Sequence, residues 1–280
     1  MRIYRYFHYL GFDIVLGALA SSCFAARLFE TSPGFVWWIT LALTVWLLYT
    51  GDHMLDAWRH RKKVQREMHN FLLRHRRLVI YSLGVVAVVN SMLIINLLEK
   101  QVFKYALILA GLVLLFYAMR HVFRKNRFLF VPGEFFVLLF YLAGTWLGPA
   151  AKVEGGFVTS QGLIALIFGG VLLMNLGVIS LYDLKLDSRM GISSLATMLG
   201  KQRTRNLLIA TGVSILVLTV LQFMVFEADR YTQFALILCG MATILLLVVY
   251  LPSRFRNKDL YRWTADAVLF MGFLSLLIRG

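Results

Sequence analysis

Two pairs of aspartates are the residues whose type and spacing most clearly suggest chemistry. Asp52 and Asp56 are four residues apart, and so are Asp183 and Asp187. On a helix, side chains at this spacing lie one above the other, where two carboxylates repel each other unless a cation lies between them. Each pair follows a long apolar block, so we expect both pairs where a membrane helix meets the cytoplasm. An ionisable residue in or near such a span is a candidate for function.

The four carboxylates supply the hard oxygen ligands that Mg²⁺ prefers, together with water and phosphate oxygens of a substrate. The two pairs occupy equivalent positions in the two halves of the chain, which indicates a faint internal repeat and predicts that they meet at one mouth of a bundle. We therefore predict that Asp52, Asp56, Asp183 and Asp187 are catalytic and bind Mg²⁺ that holds a diphosphate. The alternative is that they are solvated helix ends, and their equivalent positions favour the metal site.

Histidine and arginine residues lie close to both pairs. His60 follows Asp56 by four residues and extends the stripe of possible metal ligands, which could also hold a transition metal. Guanidinium groups stabilise the charge that a departing diphosphate acquires as its bond breaks. We expect this role for nearby arginines, although a single basic residue beside a span is often only an orientation signal. The arginine candidates are Arg59, Arg120, Arg124 and Arg189.

The elements that position these residues are membrane helices. Hydrophobic residues make up 60% of the 280 residues and charged residues only 15%, whereas soluble domains carry about 25% charged residues. The apolar blocks match the roughly 20 residues that a helix needs to cross the hydrocarbon layer. We predict an all-α polytopic bundle of about nine transmembrane helices in one domain, residues 1–280. The predicted spans are 9–28, 35–55, 78–98, 103–120, 134–150, 159–182, 205–226, 231–251 and 262–279.

The distribution of positive charge predicts the orientation of the bundle. The net charge of +15 lies in short loops and offers no separate face for nucleic acid, so we expect no nucleic-acid partner. With the amino terminus inside, 23 of the 29 Lys and Arg residues fall on the cytoplasmic side, as the positive-inside rule requires. We expect a multi-pass protein of a bacterial-style inner membrane, with its amino terminus and both acidic pairs in the cytoplasm.

Three further polar residues lie within predicted spans. Asp13 and Asp266 are expected to face a central cavity or to pair with a neighbouring cation. Asn175 is expected to form a hydrogen bond with a neighbouring helix or to have an ordinary packing role.

The second acidic motif carries a family resemblance. Asp183-x-x-x-Asp187 is followed by Ser188-Arg189-Met190-Gly191-Ile192-Ser193-Ser194-Leu195 and then by Leu199-Gly200. This run resembles the D-x-x-G-x-x-T-L-x-x-x-L-G stretch of the UbiA superfamily of intramembrane prenyltransferases, with Ser194 in place of Thr. The first motif departs from that superfamily's N-D-x-x-D-x-x-x-D, because Asp52 replaces Asn and two histidines, His53 and His60, replace aspartates.

The resemblance implies an activity, a cofactor and partners. Tyr117-x-x-Arg120 is similar to the superfamily's Y-P-x-x-K-R element without its Pro, which adds Tyr117 to the candidates for binding the donor. The implied reaction is Mg²⁺-dependent transfer of an isoprenyl group from a polyprenyl diphosphate to a lipophilic acceptor, such as an aromatic or quinone precursor, within membrane lipid. Two alternatives stay open: a membrane transporter or channel, and a degenerate, non-catalytic UbiA-like protein.

Overall fold

The computed structural model describes residues 2–59, 67–122, 132–225 and 230–278. Within these ranges the chain is helical and contains no strand. Seven of the helices are long and apolar enough to cross a membrane, so the predicted all-α, multi-pass membrane bundle is confirmed. The seven segments are Phe35–Trp58, Arg76–Leu97, Gly133–Ala150, Thr159–Met190, Lys201–Met224, Arg230–Tyr250 and Leu260–Leu277.

Short helices lie between some of the long ones, and the labels follow chain order. They are α1 (Arg2–Tyr9), α2 (Phe12–Leu28), α3 (Phe35–Arg59), α4 (Glu67–Arg74), α5 (Arg76–Leu97), α6 (Lys100–Val122), α7 (Gly133–Ala150), α8 (Thr159–Met190), α9 (Leu195–Leu199), α10 (Lys201–Val225), α11 (Arg230–Tyr250), α12 (Pro252–Arg256) and α13 (Leu260–Val268). The last helix continues as a 3₁₀ helix, Leu269–Leu277.

Two predicted spans fall on helices outside the set of seven. The first predicted span lies on α2 and the fourth on α6. With 17 residues, α2 is about 25 Å long, slightly less than the roughly 30 Å of hydrocarbon that a perpendicular helix must cross. The total of nine spans therefore stays a prediction.

α8, the helix that carries the sixth predicted span (159–182), extends beyond the end of that span. α8 continues to Met190, where Gly191 adopts a left-handed φ of 71°. The Ile192 N–H donates to the Asp187 carbonyl at 2.9 Å, which closes the helix end in the Schellman pattern. Hydropathy falls at Asp183, where the charged residues begin, whereas the helix itself ends only at the Gly191 cap. Asp183 and Asp187 therefore lie within a continuous helix.

Aromatic rings fill the centre of the bundle. Phe24 of α2, Phe168 of α8 and Phe234 of α11 are fully buried. The ring centroid of Phe24 lies 5.4 Å from that of Phe168 and 5.1 Å from that of Phe234, within the usual range for aromatic pairs. Large apolar side chains such as Ile95 and Leu107 are instead exposed on α5 and α6, as lipid-facing residues are.

The last span packs against α2 through a glycine. A Cβ atom placed on Gly272 would lie 2.7 Å from the Ala20 carbonyl oxygen. That oxygen belongs to the backbone of α2, so it moves only if the two helices separate. Gly272 therefore permits the close approach of the 3₁₀ helix to α2.

We expect Gly272→Ala to lower the free energy of unfolding by about 1–3 kcal/mol, the usual penalty for overpacking. Thermal unfolding in detergent, followed by circular dichroism, measures the change. The matched control is Gly111→Ala, because Gly111 is helical and a Cβ there meets nothing within 4 Å. An unchanged unfolding midpoint for Gly272→Ala would contradict the close approach.

Candidate active site

The two acidic pairs differ in burial. On α3, Asp52 is exposed and Asp56 is partly buried. On α8, Asp183 and Asp187 are 7% and 6% exposed. A buried carboxylate loses its hydration and needs hydrogen bonds or a cation in its place. The surroundings of the second pair therefore affect the charge and binding properties of its carboxylates more than those of the first pair do.

Asp183 is bound by two residues at the start of α13. The Tyr261 hydroxyl donates to Oδ1 of Asp183 at 2.6 Å, and the Arg262 guanidinium pairs with Oδ2. The Tyr261 ring stacks on the Tyr182 ring with a centroid separation of 4.4 Å and an interplanar angle of 9°. The Tyr182 hydroxyl in turn donates to the Val248 carbonyl at 2.7 Å. The hydrogen bond from Tyr261 orients the Asp183 carboxylate, and the Arg262 guanidinium balances its negative charge.

Tyr261 and Arg262 were not predicted from the sequence. The available signal was the position of Arg262, since it opens the ninth predicted span and ionisable residues in spans are usually paired or functional. Its partner could not be identified in the same way, because Asp183 is 79 residues away along the chain.

The motif that follows Asp187 forms a loop held by side chains from two neighbouring helices. Ser180 of α8 accepts a hydrogen bond from the Ala196 N–H at 2.9 Å. Glu134 at the start of α7 accepts one from the Leu195 N–H at 2.8 Å. These bonds satisfy amides at the beginning of α9 and hold the loop beside the second pair. Arg189, the predicted diphosphate ligand on this helix, is exposed.

Histidines surround the first pair. The His53 ring lies 4.4 Å from the Tyr49 ring and 5.8 Å from the His69 ring, measured between centroids. His69 belongs to α4 and is buried, so this short helix packs back onto the end of α3. The Tyr9 hydroxyl also donates to Glu67 at 2.7 Å, which ties α1 to the start of α4. The short helix after the first pair thus packs back against α3 and α1.

Contacts across the bundle bring the ends of α3 and α8 to the same face. The Trp46 indole of α3 donates to the Leu10 carbonyl, just before α2, at 2.9 Å. The Tyr49 ring packs on Gly11, where a Cβ would lie 2.5 Å from a ring carbon. His8, three residues before Gly11, lies 3.8 Å from Asp266, and Asp266 is one turn after Arg262 on α13. The geometry therefore places Asp52 and Asp56 on the face that also carries Asp183 and Asp187.

A second polar cluster lies at this face. Asp13 and Asp266, which the sequence placed in the first and ninth spans, both face His8 of α1. His8 Nδ1 lies 2.5 Å from Asp13 Oδ2 and 3.8 Å from Asp266 Oδ2. Each of these aspartates therefore has a carboxylate oxygen within 3.8 Å of His8 Nδ1. Asn175 donates to the Ala265 carbonyl, so its predicted link to a neighbouring helix is confirmed.

Several predicted ligands cannot be placed relative to this face. His60 and Arg124 lie outside the described residues, and so do the side chains of Arg59, Tyr117 and Arg120. Their proposed contacts with metal or diphosphate stay predictions.

The fold can now be compared with known proteins. No family profile and no curated protein matches the chain. It is similar to a solved structure described as the apo structure of a UbiA homolog from Aeropyrum pernix K1, with a TM-score of 0.60. The similarity covers 95% of this chain and 98% of that one, at 15% sequence identity. The chain has a UbiA-like fold. The resemblance drawn from the second acidic motif is thereby confirmed at the level of the fold.

The donors of this UbiA-like bundle fit Mg²⁺. Asp183 and Asp187 bring hard carboxylate oxygens to the face, and each carboxylate oxygen has two sites for a donor or cation. Oδ1 of Asp183 can therefore keep the hydrogen bond from Tyr261 and still ligate a metal. The Arg262 guanidinium holds Oδ2 and is the charged group with which an arriving metal would compete.

We expect Arg262→Gln to lower the free energy of unfolding by about 3–5 kcal/mol, because it leaves the buried Asp183 charge without its cation. Thermal unfolding measures the loss. Adding Asp183→Asn to that variant removes the charge, so the double variant should be more stable than Arg262→Gln alone.

The control is Lys152→Gln, which breaks the ion pair between Lys152 and the 54% exposed Glu99 side chain. This substitution should cost at most about 1 kcal/mol, as for other surface ion pairs. Equal losses for Lys152→Gln and Arg262→Gln would show that the Asp183–Arg262 pair is not buried.

Proposed function

We propose that this chain is an intramembrane prenyltransferase that moves an isoprenyl group from a polyprenyl diphosphate to a lipophilic acceptor, with Mg²⁺ as cofactor. The observation that carries the proposal is the buried Asp183–Asp187 pair on α8, on the same face as Asp52 and Asp56, in a UbiA-like bundle. Burial makes solvation of a helix end an insufficient explanation for the second pair.

Asp52, Asp56, Asp183 and Asp187 are assigned to binding Mg²⁺, with His60 as a further ligand beside the first pair. When bound, Mg²⁺ neutralises the charge that the diphosphate acquires as the bond to the prenyl carbon breaks. Arg59, Arg120, Arg124 and Arg189 are assigned to the diphosphate oxygens, and Tyr117 is assigned to the same donor. Arg262 adds a guanidinium that the sequence motifs did not include, next to Asp183.

The proposed reaction is ionisation of the prenyl diphosphate, followed by attack of the acceptor on the allylic cation. The bond between the prenyl carbon and the diphosphate oxygen breaks, and the oxygen keeps the electron pair. The acceptor then donates an electron pair to the allylic cation and loses a proton. The apolar interior excludes water that would otherwise capture the cation, and aromatic ring faces stabilise it. An aromatic or quinone-precursor acceptor fits such an electron-rich role.

The orientation follows from the same proposal. The diphosphate is charged and enters from water, while the prenyl chain belongs in lipid. We place the acidic face in the cytoplasm, as the distribution of Lys and Arg predicts, and assign the protein to a bacterial inner membrane.

We expect Asp183→Asn and Asp187→Asn each to lower Mg²⁺-dependent diphosphate release by about 100-fold or more, the scale of losing one group that stabilises transition-state charge. The assay uses the purified full-length protein in nanodiscs with geranylgeranyl diphosphate and a panel of aromatic acceptors. Asparagine is chosen because its carbonyl oxygen can still accept the hydrogen bond from Tyr261.

The matched control is Glu154→Gln, since Glu154 is an exposed carboxylate in the connection between α7 and α8, at the opposite end of α8. It should leave the rate unchanged. Full turnover by Asp183→Asn and Asp187→Asn would refute the assigned roles. Substrate flux in proteoliposomes without turnover would identify a transporter.

Binding of a non-hydrolysable prenyl diphosphate analogue separates an enzyme from a non-catalytic relative. We expect calorimetric binding by the wild-type protein with Mg²⁺ and much weaker binding with EDTA, because the carboxylates alone repel the analogue. No binding under either condition would favour the non-catalytic alternative, in which Arg262 and Tyr261 permanently occupy Asp183.

A further inference from the structure

Three buried side chains from three different helices meet beneath the amino terminus. They are His8 of α1, Asp13 of α2 and Asp266 of α13, and each is at most 6% exposed. One ligand atom from each lies within 4.8 Å of the other two. Gly11, with a φ of 72°, makes the turn between α1 and α2 that brings His8 back over Asp13. None of the three belongs to the acidic pairs assigned above.

Asp266 is the member of this cluster that accepts no hydrogen bond from the described residues. Asp13 accepts hydrogen bonds through both oxygens: Oδ1 from the Ile14 N–H at 3.0 Å, and Oδ2 at the His8 contact. Among the described residues no group donates a hydrogen bond to Asp266, whose Oδ2 points toward His8 Nδ1 from 3.8 Å. A carboxylate more than nine-tenths buried without a hydrogen bond is costly, and a further ligand on Asp266 would offset that cost.

The charges specify what that ligand should be. When both carboxylates are ionised they carry a charge of −2, which the single imidazole does not balance even when it is protonated. Arg262 lies one turn before Asp266 and interacts with it, but its guanidinium is already paired with Asp183. A divalent cation with neutral His8 makes the cluster neutral. A nitrogen ligand beside two oxygens suits a first-row transition ion more than Mg²⁺ or Ca²⁺.

We propose that His8, Asp13 and Asp266 bind a divalent transition-metal ion, represented by Zn²⁺, through His8 Nδ1 and one oxygen from each carboxylate. Tetrahedral Zn²⁺ with bonds of about 2.0–2.2 Å places its ligand atoms about 3.4 Å apart. The contact between His8 and Asp13 therefore widens by about 1 Å and that between His8 and Asp266 closes by about 0.4 Å, which small rotations of these side chains achieve.

The ion joins the two ends of the chain. It fastens α1 to α13, the helix that presents Tyr261 and Arg262 to Asp183. The ion is therefore a structural support for the face that carries the acidic pairs.

Metal stoichiometry of the full-length protein in nanodiscs tests the proposal. Protein stripped with a chelator is equilibrated with Zn²⁺ in the presence of excess Mg²⁺, desalted and measured by mass spectrometry. We expect one Zn²⁺ per chain in the wild type. His8→Gln and Asp266→Asn should each weaken Zn²⁺ binding by more than the roughly 10- to 100-fold that follows loss of a residue supporting a ligand.

The controls separate this site from other ligands. His75→Gln removes an exposed histidine and Glu154→Gln an exposed carboxylate, and both should keep the ion. Asp187→Asn should also keep it. Because no prenyl substrate is present, the result is independent of whether the chain transfers prenyl groups.

A variant that gains a spectroscopic signal shows that lost binding in the other variants is not simply a failure to fold. His8→Cys supplies a thiolate in place of the imidazole, so Co²⁺ should give a sulfur-to-metal charge-transfer band that the wild type lacks. Zn²⁺ should also raise the unfolding midpoint of the wild type but not of Asp266→Asn. No retained ion in the wild type would mean that a proton balances the cluster. Retention by both His8→Gln and Asp266→Asn would place the ion elsewhere. Either outcome overturns the proposal.

Discussion

Buried carboxylates in an apolar bundle need basic partners, and this requirement determines which helices meet at one face of the protein. Asp13, Asp183 and Asp266 are all at most 7% exposed, where a carboxylate without a partner is strongly unfavourable. Their basic partners, His8 and Arg262, come from α1 and α13, which are distant in sequence. The ends of the chain must therefore meet at this face, whereas the centre of the bundle is held by apolar packing that is less specific about its partners.

Most of the architecture could be predicted because the bilayer sets the length of each apolar block. Ends of helices were less predictable, since hydropathy and helix formation stop for different reasons. The apolar block before Asp183 ends at the first charge, but α8 continues until Gly191 supplies the left-handed residue that closes it. The 3₁₀ geometry of Leu269–Leu277 had no signal in the sequence, and neither did the close approach of Gly272 to Ala20.

The acidic pairs were predictable for a local reason, and their surroundings were not. The four-residue spacing of Asp183 and Asp187 places them on one helical face whatever the rest of the chain does. The identity of the groups that hold Asp183 depends on which helix packs beside α8. Sequence patterns within a span do not encode that neighbour, so Tyr261 and Arg262 emerged only from the packing of α13. The same holds for His8, whose role depends on the turn at Gly11.

Arg262 links the two polar clusters, because it lies close to a carboxylate of each. Its guanidinium pairs with Asp183 and also interacts with Asp266 one turn further along α13. Coulomb energies add pair by pair, so the Arg262 guanidinium stabilises both carboxylates at once. A divalent ion bound at either carboxylate adds positive charge beside the guanidinium and repels it. Charge added at the acidic pairs is thus felt at His8 and Asp13, although no carboxylate belongs to both clusters.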